Sequence, residues 1–359
     1  MKEFTLFTPG PTILPPGVLH EMSKQPLYHK STEFKQLLHR VEGGLRYVFQ
    51  TKEHVIPLVC SGTGAGEAVM MSLHKAGDTV LVLNNGRFSA RWGAMLTKIG
   101  VNVINAAIAM SRSFSIKDIT ALEDLSNISG VWITHCETST GALNSLHSLI
   151  TTIKQKTDAL ICVDGISSVG IQDCRMDEWE IDALVSCSQK GLMAPPGLGF
   201  VALSRRAWNL AEHSTSDTYY FDLWKARESL EKNLTLFTPA VSLLMGMDAA
   251  LHLIQKEGLE GIYARHADNA ALMRDSLTSM GFELFPQHPS NALTVIKTPH
   301  AKQIINELKL KHRIIVAAGQ DTLHDEIIRI GHMGYYFRHT IMEFIAAFKD
   351  VVSNLQIRQ

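Results

Sequence analysis

Between residues 54 and 204 short apolar runs alternate with helical patterns, and this alternation constrains the fold more than any other feature of the chain. The runs His54–Cys60, Thr79–Asn84, Asn102–Asn105, Gly130–His135, Leu160–Asp164, Ala183–Ser186 and Gly199–Leu203 predict strands. Several are almost continuously apolar, as strands are when helices cover both faces of a parallel sheet. The stretches between them, such as Gly66–Lys75, Arg91–Lys98 and Ser145–Lys156, carry helical spacing. This succession predicts an α/β fold with an open, mostly parallel sheet. A ligand in such a sheet sits beyond the carboxyl ends of the strands, so the residues that follow each strand deserve inspection first.

After Pro239 a long helical pattern, Val241–Gln255, reads as a connector to a smaller α+β part. There, helix Ile262–Met280, strand Ala292–Lys297, helix Ala301–Lys311, strands near Ile314–Val316 and Ile327–Ile330, and helix Arg338–Leu355 are expected. The expected division is a large domain over 1–255 and a small one over 256–359, a size that suits 359 residues.

Hydrophobic residues make up 45% and charged residues 19%, the balance of a globular chain rather than a disordered one. A formal net charge of -1 leaves no basic footprint for nucleic acid. No apolar run approaches the length that spans a bilayer. The start at Met1, Lys2 and Glu3 lacks a charged-then-apolar signal layout, so a cytoplasmic protein is expected. Five cysteines at Cys60, Cys136, Cys162, Cys174 and Cys187 form no CxxC pair, and the 16 histidines form no HExxH. Neither a disulfide framework nor a metal site is expected.

Three segments carry chemistry. Ser61-Gly62-Thr63-Gly64-Ala65-Gly66 follows a strand and opens a helix. Small residues there let backbone N–H groups at a helix N-terminus approach an anion such as phosphate. Alone, the segment is equally a plain glycine-rich turn; it lacks the Gly-Lys-Ser/Thr of a P-loop and the spacing of a dinucleotide fingerprint. Asp164 ends a strand, which aims its carboxylate at the ligand edge, although a turn or cap role suits an isolated aspartate better. Lys190, in Ser188-Gln189-Lys190-Gly191, ends the next strand among small and apolar residues. Desolvation there lowers a lysine's pKa and frees its amine as a nucleophile.

A phosphate cup, a strand-end acid and a strand-end lysine on one sheet edge are the parts that pyridoxal 5′-phosphate (PLP) needs. The joint signal is more specific than any one part. The chain resembles the class V aminotransferases of fold type I, in particular the alanine–glyoxylate and serine–pyruvate branch. The resemblance is carried by Thr8-Pro9-Gly10-Pro11-Thr12, Ser61-Gly62-Thr63-Gly64, Asn85-Gly86-Arg87-Phe88, His135-Cys136-Glu137-Thr138-Ser139-Thr140-Gly141, Val163-Asp164-Gly165, Ser188-Gln189-Lys190-Gly191 and Ile328-Arg329-Ile330-Gly331.

The resemblance implies that Lys190 holds PLP as a Schiff base and shuttles a proton, and that Asp164 pairs with the pyridinium nitrogen. It implies that Ser61, Gly62, Thr63 and Gln189 hold the phosphate, that Thr138 meets the ring hydroxyl, and that Phe88 lies against the ring. Thr238 would reach the phosphate of a neighbouring subunit, which implies a homodimer with shared sites. Arg329 would clamp the substrate carboxylate, with Gly10 in the segment 1–20 reaching the same place. The expected reaction moves an amino group from alanine, serine or aspartate to glyoxylate or pyruvate by a ping-pong route. A 2-aminoethylphosphonate transaminase and a lyase such as a cysteine desulfurase stay open as alternatives, though no cysteine follows Cys187. Met70, Met71, Trp92 and Trp132 read as packing residues.

Overall fold

The computed structural model describes residues 4–214 and 218–355; Met1, Lys2 and Glu3, on which the reading of the N-terminus rested, lie outside the described residues. Seven strands form the large sheet in the order Val55–Val59, Leu198–Leu203, Ala183–Cys187, Leu160–Asp164, Gly130–Thr134, Thr79–Asn84, Asn102–Ala107. Leu198–Leu203 runs antiparallel to both neighbours, and the remaining pairings are parallel. The central strands Gly130–Thr134, Leu160–Asp164 and Ala183–Cys187 are buried at every residue, which is why they read as unbroken apolar runs. The edge strand Asn102–Ala107 is largely exposed and correspondingly mixed in sequence.

Two helices begin earlier than their spacing suggests. One spans Gly62–Leu73 and the other Arg87–Lys98. Glycines and polar residues hide these first turns from a reading of apolar periodicity, and tertiary contacts described below require them there. A helix over Thr32–Phe49 precedes the sheet; Ser31 caps it by accepting from Phe34 N at 3.2 Å. Its buried stripe of Phe34, Leu38, Val41, Leu45 and Phe49 contributes about 1.5–3 kcal/mol per fully buried side chain. The connector expected after Pro239 is a helix over Val241–Glu257, packed against Thr32–Phe49 and against the short helix Pro16–Met22.

A second sheet has the order Thr5–Phe7, Ile314–Ala318, Ile327–Gly331, Leu293–Lys297. Its first strand comes from the N-terminus and pairs parallel to Ile314–Ala318, Thr5 opposite Ile314. Three residues are too few to show a period, so this long-range pairing left no trace in the sequence pattern. Helices Leu259–Ser279, Ala301–His312 and Arg338–Asn354 cover the sheet. Phe7 anchors the N-terminal strand in that core, its ring centroid 4.5 Å from that of Phe344. The chain then crosses from the second sheet toward Lys190 through Thr8, Pro9 and Gly10. No helix among the described residues is long and apolar enough to cross a membrane.

Candidate active site

Parallel strands bring their carboxyl ends to one edge of the large sheet, and a cleft with about 550 Å³ of empty volume opens there. Ser61, Gly62, Thr63, Phe88, Thr138, Asp164, Gln189 and Lys190 all line it, together with Arg91. Larger grooves lie elsewhere on the surface, but their linings hold no desolvated lysine beside a buried carboxylate. Chemistry rather than size singles out this cleft.

The cup is the first turn of helix Gly62–Leu73. Ser61 is its N-cap residue and makes no side-chain capping bond, so the first N–H groups keep their capacity for a ligand. A Cβ on Gly66 would collide with the ring of Trp92, which explains a glycine one turn into the helix. Across the cleft, Gln189 has a buried side-chain oxygen without a hydrogen-bond partner.

Asp164 is 4% exposed and ends the strand Leu160–Asp164. Its Oδ1 accepts from Ile166 N at 2.9 Å and its Oδ2 from Trp92 Nε1 at 2.8 Å. Burial pushes the carboxyl up to about 6, against the pull of those two donors. Lys190 Nζ donates to Pro9 O. Burial pulls its pKa down and the Arg329 charge acts in the same direction, while Cys187, Cys136 and Asp164 oppose them. Gly10 has φ +116°, and a Cβ there would lie 2.5 Å from Lys190 Nζ. Only glycine lets the backbone pass this close to the lysine amine.

Arg329 sits on the second sheet, yet its Nη1 donates to Thr138 O at 3.1 Å and its Nε to Ala318 O at 2.8 Å. Nη2 makes no hydrogen bond among the described residues. Burial lowers this guanidinium to about 10. Arg329 thus joins the second sheet to the loop at the cleft without lining the cleft itself.

Gly10, Arg329 and Thr238 are the expected site residues that do not line the cleft, and of these Thr238 lies apart from it. This residue lines a separate cavity with Tyr220, Phe237 and Pro239 of the same chain. Tyr220 and Phe237 stack there with centroids 5.1 Å apart.

Three residues that matter here were passed over in the sequence. Trp92 donates to Asp164. Arg91 lines the cleft with its guanidinium 4.9 Å from the Phe88 ring centroid, and its Nε is buried without a partner. Glu137, fully buried, accepts at Oε2 from Phe88 N at 3.0 Å and Ser89 N at 2.8 Å. At Oε1 it accepts from Ser139 N at 3.1 Å and Ser139 Oγ at 2.6 Å. Gly86 precedes helix Arg87–Lys98 and has no side chain to cap it, so Glu137 supplies the carboxylate at the positive end of the helix dipole. In the sequence Trp92 reads as a packing residue, Glu137 lies inside the His135–Gly141 motif without a role of its own, and Arg91 stands just beyond Phe88.

Donors at a free helix N-terminus, an unpartnered amide oxygen, a desolvated lysine and a buried carboxylate fit PLP, which needs a phosphate anchor, a lysine amine and an acid at its ring nitrogen. Among the described residues no group of three or more His, Cys, Asp or Glu side chains is placed to hold a metal ion.

A family model described as aminotransferase class-V matches residues 4–341. A protein of Anabaena cylindrica named soluble hydrogenase 42 kDa subunit is 36% identical, over 98% of this chain and 93% of its own length. The L-aspartate–glyoxylate aminotransferase of Paracoccus denitrificans is 30% identical, over 98% of this chain and 91% of its own. The solved aspartate aminotransferase of Thermus thermophilus superposes with a TM-score of 0.92 at 29% identity, covering 98% of this chain and 99% of that one. Its fold is the PLP-dependent fold type I, with the large mostly parallel sheet found here. With the cleft and its lysine–carboxylate pair in view, these matches establish that the chain belongs to the class V aminotransferases and is a PLP-dependent transaminase.

Proposed function

We propose that this transaminase moves an amino group from alanine, serine or aspartate to glyoxylate or pyruvate in two half-reactions, the first product leaving before the acceptor binds. The observation that carries the reading is the meeting of Lys190, Asp164 and the Ser61–Thr63 cup in one cleft. When bound, PLP supplies an electrophilic carbon for the amino group and a ring that draws electrons from the substrate Cα.

The chain's own residues would do the rest. Lys190, whose burial makes its amine easier to deprotonate, holds the cofactor and carries the proton to and from the substrate Cα. Asp164 faces the ring nitrogen as a carboxylate. Ser61, Gly62, Thr63 and Gln189 hold the phosphate, Thr138 the ring hydroxyl, and Phe88 covers the ring. Arg329 offers Nη2 to the α-carboxylate, which orients the Cα–H bond, and Gly10 keeps backbone close to the same group. The segments 1–255 and 256–359 act as two domains, the first carrying the cofactor cleft, with segment 1–20 reaching the site.

A homodimer is part of the proposal. Thr238 lies outside its own chain's cleft, a placement that suits a role at the phosphate of a second copy. A cytosolic setting suits five cysteines that are all free. A desulfurase needs a reactive thiol beyond the lysine; no cysteine follows Cys187, and burial pushes Cys60 and Cys136 up to about 12.

The test is the absorbance spectrum of the purified protein with alanine, serine, aspartate and 2-aminoethylphosphonate added in turn. Bleaching of the visible band by one of the three α-amino acids, with release of its keto acid, supports the reading and names the donor. Bleaching by the phosphonate alone refutes the donor class, and sulfide release from cysteine refutes the transaminase assignment of the site.

A further inference from the structure

The acid of the site is held from a side that plays no part in binding substrate. Trp92 is fully buried on helix Arg87–Lys98, and its indole N–H reaches Asp164 Oδ2 at 2.8 Å while Ile166 N reaches Oδ1 at 2.9 Å. One donor on each oxygen fixes the rotation of the carboxylate about its Cβ–Cγ bond. The indole itself has little freedom. Gly66 is cleared for its six-membered ring, and Trp132 packs against it with centroids 5.3 Å apart and planes tilted by 31°. The phosphate-cup helix, the helix carrying Phe88 and the central sheet therefore meet at one N–H that points at the acid.

That N–H matters because Asp164 is a buried carboxylate with little else in its favour. The Glu137 charge and burial favour the protonated form; Arg91 and the two donors favour the ionised form. Lys190, Cys136 and Cys187 are the other titratable groups coupled to it. A carboxylate paired with a ring nitrogen shares one proton with it, and whichever group is better solvated by its surroundings as an ion decides where the proton resides. A donor to Asp164 that does not touch the cofactor biases that choice toward the nitrogen.

We propose that Trp92 is a positioning residue for Asp164: its indole N–H fixes the carboxylate's orientation and keeps it an acceptor, so that the proton of the pair stays on the cofactor's ring nitrogen. The inference rests on the reading of Asp164 as the partner of that nitrogen. It places the electron-withdrawing power of the cofactor under the control of a tryptophan that never contacts substrate.

The test compares Trp92→Phe, β-(3-benzothienyl)alanine at position 92 and Asp164→Asn. The benzothienyl side chain keeps the bicyclic shape and lacks the N–H, so it separates packing from donation. Two readouts are needed. In the cofactor-free protein, the Asp164 carboxyl titration followed by ¹³C NMR is expected to move up by about one to two pH units in both position-92 variants. In the loaded protein, the ¹⁵N resonance of ring-labelled PLP is expected to move toward the neutral pyridine position, with kcat falling about tenfold or more and KM within about threefold. If Asp164→Asn moves the ¹⁵N resonance while both position-92 variants leave it and the titration unchanged, the role of Trp92 is refuted and that of Asp164 stands. If Asp164→Asn leaves the resonance unchanged, the pairing of Asp164 with the ring nitrogen is itself wrong.

Discussion

Replacing Glu137 by glutamine removes one charge and almost no volume, and the structure allows its cost to be worked out. The two carboxylate oxygens join two segments: Oε2 accepts from Phe88 N and Ser89 N, and Oε1 from Ser139 N and Ser139 Oγ, with a longer bond from Phe88 N at 3.3 Å. An amide has one oxygen where the carboxylate had two. With that oxygen kept on the helix, the NH₂ group faces the Ser139 N–H and strands a buried donor, at about 1–3 kcal/mol. The remaining bonds lose their charge assistance, and the helix N-terminus loses its facing anion, about 0.3–1 kcal/mol. The expected loss is about 2–5 kcal/mol. Urea unfolding of the cofactor-free variant, followed by circular dichroism at unchanged slope, measures it. Because Phe88 and Thr138 flank Glu137 on the two segments it joins, cofactor affinity should fall as well. A loss below about 0.5 kcal/mol, the size of an ordinary surface change, would refute the view that this carboxylate caps the helix and clamps the loop.

Lys190→Ala should abolish transamination with every donor, and turnover near that of the native protein would remove the lysine from its role. Arg329→Ala should raise KM for α-carboxylate donors about tenfold to a hundredfold, the worth of a charge-assisted bond; an unchanged KM for all of them refutes the clamp. Gly10→Ala should cost about 1–3 kcal/mol of strain at φ +116° and weaken PLP retention in a spectroscopic titration, because the new Cβ contests the space of Lys190 Nζ. Stability should fall with acid. Burial holds His135, His266 and His332 down at about 3 and His74 at about 4, so the unfolded chain takes up protons below pH 6.5 that the folded one refuses. Asp164, raised to about 6, offsets one of these protons. The net slope between pH 6 and 5 should exceed about 2 kcal/mol per pH unit in urea titrations, and a flat profile there would contradict the burial of these imidazoles.

What the sequence determined by itself was whatever is written locally. Unbroken apolar runs fix strands buried on both faces, and where those strands run parallel the residue after each run lies at the ligand edge, as it does not for the antiparallel Leu198–Leu203. That is why Asp164, Lys190 and the Ser61–Gly66 cup could be picked out as one constellation, and why the family motifs around them could be recognised. The tertiary structure decided the contacts between segments far apart in the chain. Trp92 reads as core from its own neighbourhood, and only the pairing across 72 residues makes it a donor to Asp164. Glu137 meets Ser89 across 48 residues, and Thr5–Phe7 finds its sheet partner near the other end of the chain. The helix also starts at Gly62, where helix propensity argues against it, and the indole of Trp92 fills the space that a Cβ on Gly66 would need. Local periodicity reports which face of a residue is buried, but the identity of the group waiting on that face is a property of the assembled fold.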